Sequence, residues 1–125
     1  MMGSIGIRHV HLLVADLGRA IDFYRNAFGM EFRFEDGPIT FLGTPGGGDS
    51  LALHLASTDE EHARVGMHGG IQHFGIHLAD RSAEAVDVVV HRVLSAGGQL
   101  VERGQHASGS EFAYVTDVDG YVIEL

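Results

Sequence analysis

The sequence has no cysteine and no tryptophan, only two prolines, and no lysine: its eight basic residues are all arginine. Without cysteine, disulfides, thiolate nucleophiles and thiolate metal ligands are excluded. Without lysine, Schiff-base chemistry at a lysine amine is excluded too. Positive charge is scarce. A formal net charge of −9 at pH 7 argues against nucleic acid and anionic membrane surfaces as partners, and it suits ordinary solubility or a neutral or cationic ligand. The apolar runs are too short to span a bilayer, and Met1-Met2-Gly3-Ser4 offers no basic region followed by an apolar stretch, so the expectation is a cytoplasmic protein. At 125 residues the chain reads as one domain with room for a core that needs no covalent staples.

Histidine is plentiful, and its placement is periodic. In Arg8–Val14, Val10, Leu12 and Val14 share one face of an extended strand while His9 and His11 share the other. In Gln72–Leu78, Phe74, Ile76 and Leu78 oppose His73, Gly75 and His77. Leu51, Leu53 and Leu55 oppose His54, and Tyr121, Ile123 and Leu125 oppose Glu124. Four strands with imidazole or carboxylate on one face and a core on the other predict a sheet curled around a polar site. Three imidazoles and a carboxylate are a ligand set suited to a divalent transition metal. His11 and His77 share the inward face, and imidazoles there are candidates for general base or acid, for partners of the ligands, or for polar lining.

The chain also repeats itself. His9-Val-His-Leu-Leu-Val-Ala-Asp16 parallels His73-Phe-Gly-Ile-His-Leu-Ala-Asp80 with the same spacing from histidine to aspartate. Each aspartate precedes a helical pattern: Leu17–Phe28, with Asp16 as N-cap and Gly29 as stop, and Ser82–Ala96, with Asp80 read as a cap and Gly97-Gly98 as the end. Strands are predicted at Met30–Glu35, Ile39–Gly43 and Asp49–Ala56, then at Gln99–Arg103, Glu111–Thr116 and Tyr121–Leu125. The fold class is therefore α+β: two tandem βαβββ modules, about residues 5–56 and 71–125, forming a curled mixed sheet around a central metal site. The polar, glycine-tipped segment 57–70 reads as a linker or lid. Gly46-Gly47-Gly48 lacks the strand-to-helix setting of a phosphate loop and reads as a hairpin turn. His62, His68, His91 and His106 are expected at the surface, and Asp59-Glu60-Glu61 as a solvated face.

Two stretches carry a family resemblance: His9 through Val14-Ala-Asp-Leu-Gly-Arg-Ala-Ile-Asp-Phe-Tyr24 to Phe28-Gly29-Met30, and Thr116-Asp-Val-Asp-Gly-Tyr-Val-Ile-Glu-Leu125. The chain resembles the vicinal oxygen chelate superfamily, which includes glyoxalase I, extradiol dioxygenases, methylmalonyl-CoA epimerase, fosfomycin-modifying transferases and bleomycin-resistance proteins. Val118 departs from the usual Asp-Pro-Asp-Gly. The resemblance implies one divalent ion per site (Zn, Ni, Mn or Fe) on His9, His54, His73 and Glu124. His9, His73 and Glu124 alone would make a facial set of two histidines and a carboxylate. A fourth ligand at His54 implies lyase or isomerase chemistry through an enolate-like intermediate. Three ligands imply extradiol-type dioxygenation, and a bleomycin-resistance-type binding protein is the non-catalytic alternative. The resemblance also implies a tyrosine near the substrate, here Tyr114, and a homodimer whose metal sites are shared between chains. Where the family's glutathione-recognising arginine stands, this chain has Leu13, so a less anionic small molecule is expected as substrate.

Overall fold

Residues 2–125 are described by a computed structural model; Met1, where the reading of the N-terminus begins, lies outside them. The first half runs β1 (Val10–Val14), α1 (Leu17–Phe28), β2 (Glu31–Asp36), β3 (Ile39–Gly43) and β4 (Leu51–Leu55). A short helix α2 (Asp59–Ala63) follows, then β5 (Phe74–Gly75), α3 (Ala83–Ser95), β6 (Gln99–Gln105), β7 (Glu111–Thr116) and β8 (Val122–Glu124). Two βαβββ modules are thus present. Among the described residues no helix is long and apolar enough to cross a membrane.

Local chemistry explains the helices. The Asp16 carboxylate accepts from Arg19 N–H at 3.0 Å, and Gly29 ends α1 in the left-handed region at φ 70°, returning its N–H to the carbonyl of Arg25. The buried stripe is Ala20, Phe23, Tyr24 and Ala27. For α3 the cap is Ser82, whose hydroxyl accepts from Ala85 N–H at 3.2 Å. Asp80 stands two residues before the cap, accepting from Ser82 N–H at 2.9 Å, so its capping role is indirect. At Gly98 an added Cβ would meet the Thr116 carbonyl and approach Val93 to 2.6 Å, so only glycine lets α3 turn into β6 there.

The expected single curled sheet does not form. The strands make two separate four-stranded sheets, ordered β1-β4-β3-β2 and β5-β8-β7-β6, each with one parallel pair and antiparallel neighbours. Each ladder closes within its own module. The modules meet through α1 against α3, and one apolar cluster runs from Leu12, Val14 and Phe23 through Val86 and Val93 to Val115, Ile123 and Leu125. Burying the helix-facing sides into a common core leaves the histidine-bearing sides on separate sheets. A central metal site is absent on the same ground: among the described residues no group of three or more His, Asp or Glu side chains could hold an ion.

Candidate functional site: two half-sites on separate sheets

On the first module, His9 and His11 alternate with core residues at β1, and the parallel register of β1 with β4 sets Leu13 beside His54. His11 Nε2 and His54 Nδ1 share a proton at 3.0 Å. His9 stands edge-on to Phe41 at 5.7 Å between ring centres, and Phe34 stacks on Phe41 at 4.5 Å. Burial pushes the His11 imidazole below its ordinary range, and neighbouring His54 and His9 push it further, which favours the neutral ring.

On the second module, β8 ends at Glu124, opposite Tyr114 of β7 and beside Gly75 of β5. The Tyr114 hydroxyl donates to Glu124 Oε1 at 3.0 Å, and His73 Nε2 lies 3.1 Å from the same oxygen. His73 Nδ1 meets Gln72 Oε1 at 3.1 Å, so both ring nitrogens are engaged. The hydrogen bond to Glu124 raises the Tyr114 phenol above its ordinary range, with partial burial adding to it. Glu124 stands next to the last residue, yet the end of the chain is tied down. Leu125 N–H donates to the Ala113 carbonyl at 2.8 Å, and the Arg81 guanidinium donates to the Glu111 carbonyl at 2.7 Å.

The four expected ligands therefore fall on two sheets, His9 and His54 on either side of His11 on the first and His73 with Glu124 on the second, and among the described residues they do not gather into one cluster. Among the expected acid–base residues, His11 belongs to the first half-site and Tyr114 to the second. His77 belongs to neither: β5 ends at Gly75, and the exposed His77 opens onto grooves lined by Met30, Thr44 and Ile76.

Two residues expected at the surface lie beside these groups: His106, which is exposed as expected, and Glu61, which is half-buried. His106 Nε2 comes within 3.7 Å of Glu124 Oε2, and its ring leans on Phe112 at 4.6 Å. Its signal was strand length: β6 runs on to Gln105, the Gly104–Phe112 pairing gives Phe112 space, and the hairpin closes with His106 N–H on the Ser110 carbonyl at 2.9 Å. Glu61 turns inward from α2, its Oε2 3.9 Å from His54 Nε2. A cleft of about 510 Å³ lies beside this group, bounded by Leu13, Met67, Ile71, Phe74 and Tyr121, with His11, His54, Glu61, Arg64 and His68 as its polar part.

Residues 6–125 match the family described as Glyoxalase/Bleomycin resistance protein/Dioxygenase superfamily. The chain belongs to this superfamily. Among curated superfamily proteins, a lactoylglutathione lyase of Neisseria meningitidis serogroup A is 34% identical over 94% of this chain and 86% of its own length. A lactoylglutathione lyase of Salmonella typhimurium is 31% identical over 94% of this chain and 88% of its own length. Of solved structures, a glyoxalase-related enzyme from Fulvimarina pelagi superposes with a TM-score of 0.72 at 25% identity, covering 97% of this chain and 86% of that one. The fosfomycin resistance protein FosX of Listeria monocytogenes reaches 0.74 at 21% identity over 99% and 93%, a likeness of fold alone.

Proposed function

We propose that the protein is a divalent-metal-dependent enzyme of lyase or isomerase type that works as a homodimer on a small oxygenated substrate. The observation carrying this reading is the pair His73–Glu124, 3.1 Å apart on the second sheet, with His9 just before β1 and His54 in β4 of the first. Either pair alone is half a coordination set; a pair from each of two copies supplies three imidazoles and a carboxylate, donors that fit Zn, Ni, Mn or Fe. When bound, such an ion polarises substrate oxygens and stabilises charge developing on them.

The remaining tasks fall to the chain. In this reading the neutral His11 ring accepts a substrate proton, and the Tyr114 hydroxyl, already aimed at Glu124 Oε1, holds that carboxylate in place. Leu13, Met67, Ile71 and Phe74 give the cleft an apolar wall and help exclude water. The relatives named above are lactoylglutathione lyases. With Leu13 in place of a glutathione-recognising arginine, we assign this chain a less anionic α-hydroxycarbonyl or α-oxo compound rather than the glutathione adduct.

The test is exchange of the substrate's α-proton. Metal-loaded protein in D2O is expected to exchange the α-proton of at least one member of an α-hydroxyketone panel, followed by proton NMR, and chelation should abolish the exchange. Absence of exchange across the panel, together with less than stoichiometric metal by mass spectrometry, would overturn the reading.

A further inference from the structure

Glu61 is held more firmly than a surface glutamate needs to be. Its Oε1 accepts from both the backbone N–H and the hydroxyl of Ser57, each at 2.9 Å, while its own N–H donates to Thr58 Oγ1 at 3.0 Å. With Oε1 committed, Oε2 faces His54 Nε2 at 3.9 Å. The two side chains are only 23% and 26% exposed, so water screens their interaction incompletely. A ring nitrogen carrying a lone pair would be repelled by this carboxylate, whereas one carrying a proton is attracted to it.

We propose that Glu61 is a positioning residue that fixes His54 as its Nε2–H tautomer and so presents His54 Nδ1 as the lone-pair nitrogen of the first half-site. The direction of the neighbouring contact follows. His54 Nδ1 must accept, so His11 Nε2 donates across the 3.0 Å contact, and His11 keeps its lone pair on Nδ1. Reversing His54 would reverse both rings at once. Carboxylate, imidazole and imidazole thus form a chain with a single direction, anchored at its acidic end by Ser57. The consequence for metal binding rests on the function proposed above: a cation takes the His54 Nδ1 lone pair by displacing the His11 donor, and a histidine whose outer N–H faces a carboxylate then offers it an oriented nitrogen. The tautomer assignment does not depend on that function.

The experiment records long-range 1H–15N correlations of the imidazoles in metal-free, 15N-labelled protein at a pH of about 8.5, where neutral rings dominate. Both His54 and His11 are expected as Nε2–H tautomers. Glu61→Gln keeps the length and an oxygen for Ser57 but removes the charge, and is expected to give His54 a measurable Nδ1–H population. A wild-type Nδ1–H tautomer at either ring, or an unchanged His54 pattern in the variant, would overturn the proposal. Zinc titration against a chromophoric chelator reads the consequence, with Glu61→Gln expected to bind about 10-fold more weakly. Equal zinc affinity would overturn the link to metal binding. Wild-type protein that takes up no zinc would overturn the function proposed above and leave the tautomers to decide this inference.

Discussion

Glu124 receives the Tyr114 hydroxyl and the His73 imidazole on one oxygen and faces His106 from the other. Glu124 is thus the shared acceptor of the second group. Glu124→Gln is expected to lower metal affinity by at least ~10-fold, since even the loss of an outer partner has that effect. Metal content by mass spectrometry checks this, and unchanged content would remove Glu124 from the ligand set. His9, His11, His54, His73 and Glu124 were legible in the sequence because period-2 alternation marks which face a strand residue takes. Glu61 carried a readable signal as well: Thr58-Asp59-Glu60-Glu61 has the serine/threonine-x-x-glutamate spacing of a helix start. Read only as a run of like charge, it gave no hint that its third member turns toward His54. His77 misled because alternation was carried past Gly75, where the ladder stops.

Between elements, one tie is a buried polar contact. Tyr24 of α1 donates its hydroxyl to Asp117 Oδ2 at 2.5 Å, in the turn between β7 and β8, while Asp117 Oδ1 accepts the backbone N–H of Asp119 and Tyr121 at 2.9 Å each. The contact fastens the first module's helix to the second module's last hairpin. Tyr24→Phe leaves a buried carboxylate oxygen without its donor and is expected to cost about 1–3 kcal/mol, measured by denaturant unfolding. Burial pushes the Asp117 carboxyl above its usual range, although its hydrogen bonds pull the other way. As the pH falls, the folded chain therefore binds this proton before the unfolded chain does. Its contribution is fully present below the unfolded value of about 3.9 and is lost as the pH rises through the folded value. The stability gap between wild type and Asp117→Asn should shift in favour of wild type from pH 7 toward pH 4, and a gap independent of pH would contradict this. The sequence marked both helices well, because caps and apolar stripes are local. It missed α2, whose five residues bury none of their side chains and so carry no periodic stripe.

At the scale of the whole molecule, two sheets share one helical core, and each carries half of the proposed ligand set. The proposed completion of the site by a second copy makes a sharp prediction. His54→Ala and Glu124→Gln proteins, each depleted of metal alone, are expected to regain it when unfolded together and refolded as a mixture. In a heterodimer one site receives both damaged halves and the other two intact ones, so recovery approaches about one quarter of all sites for random pairing of a symmetric dimer. Sedimentation velocity gives the accompanying stoichiometry. No recovery in a mixture shown to contain heterodimers would sink the shared-site arrangement.

By itself the sequence determined the repeated βαβββ order, the polar face of each strand and the residue types available for chemistry, because alternation, capping and turn residues act within a few positions of the chain. Only the tertiary structure decided that the sheets stay separate, that His73 joins Glu124 while His9 and His54 stand apart from them, and that Glu61 and His106 lie beside the half-sites. The approaches of Glu61 to His54 and of His106 to Glu124 depend on how far each ladder runs and on which surfaces the shared core buries. Both are settled by contacts between residues remote in sequence, which no local pattern encodes.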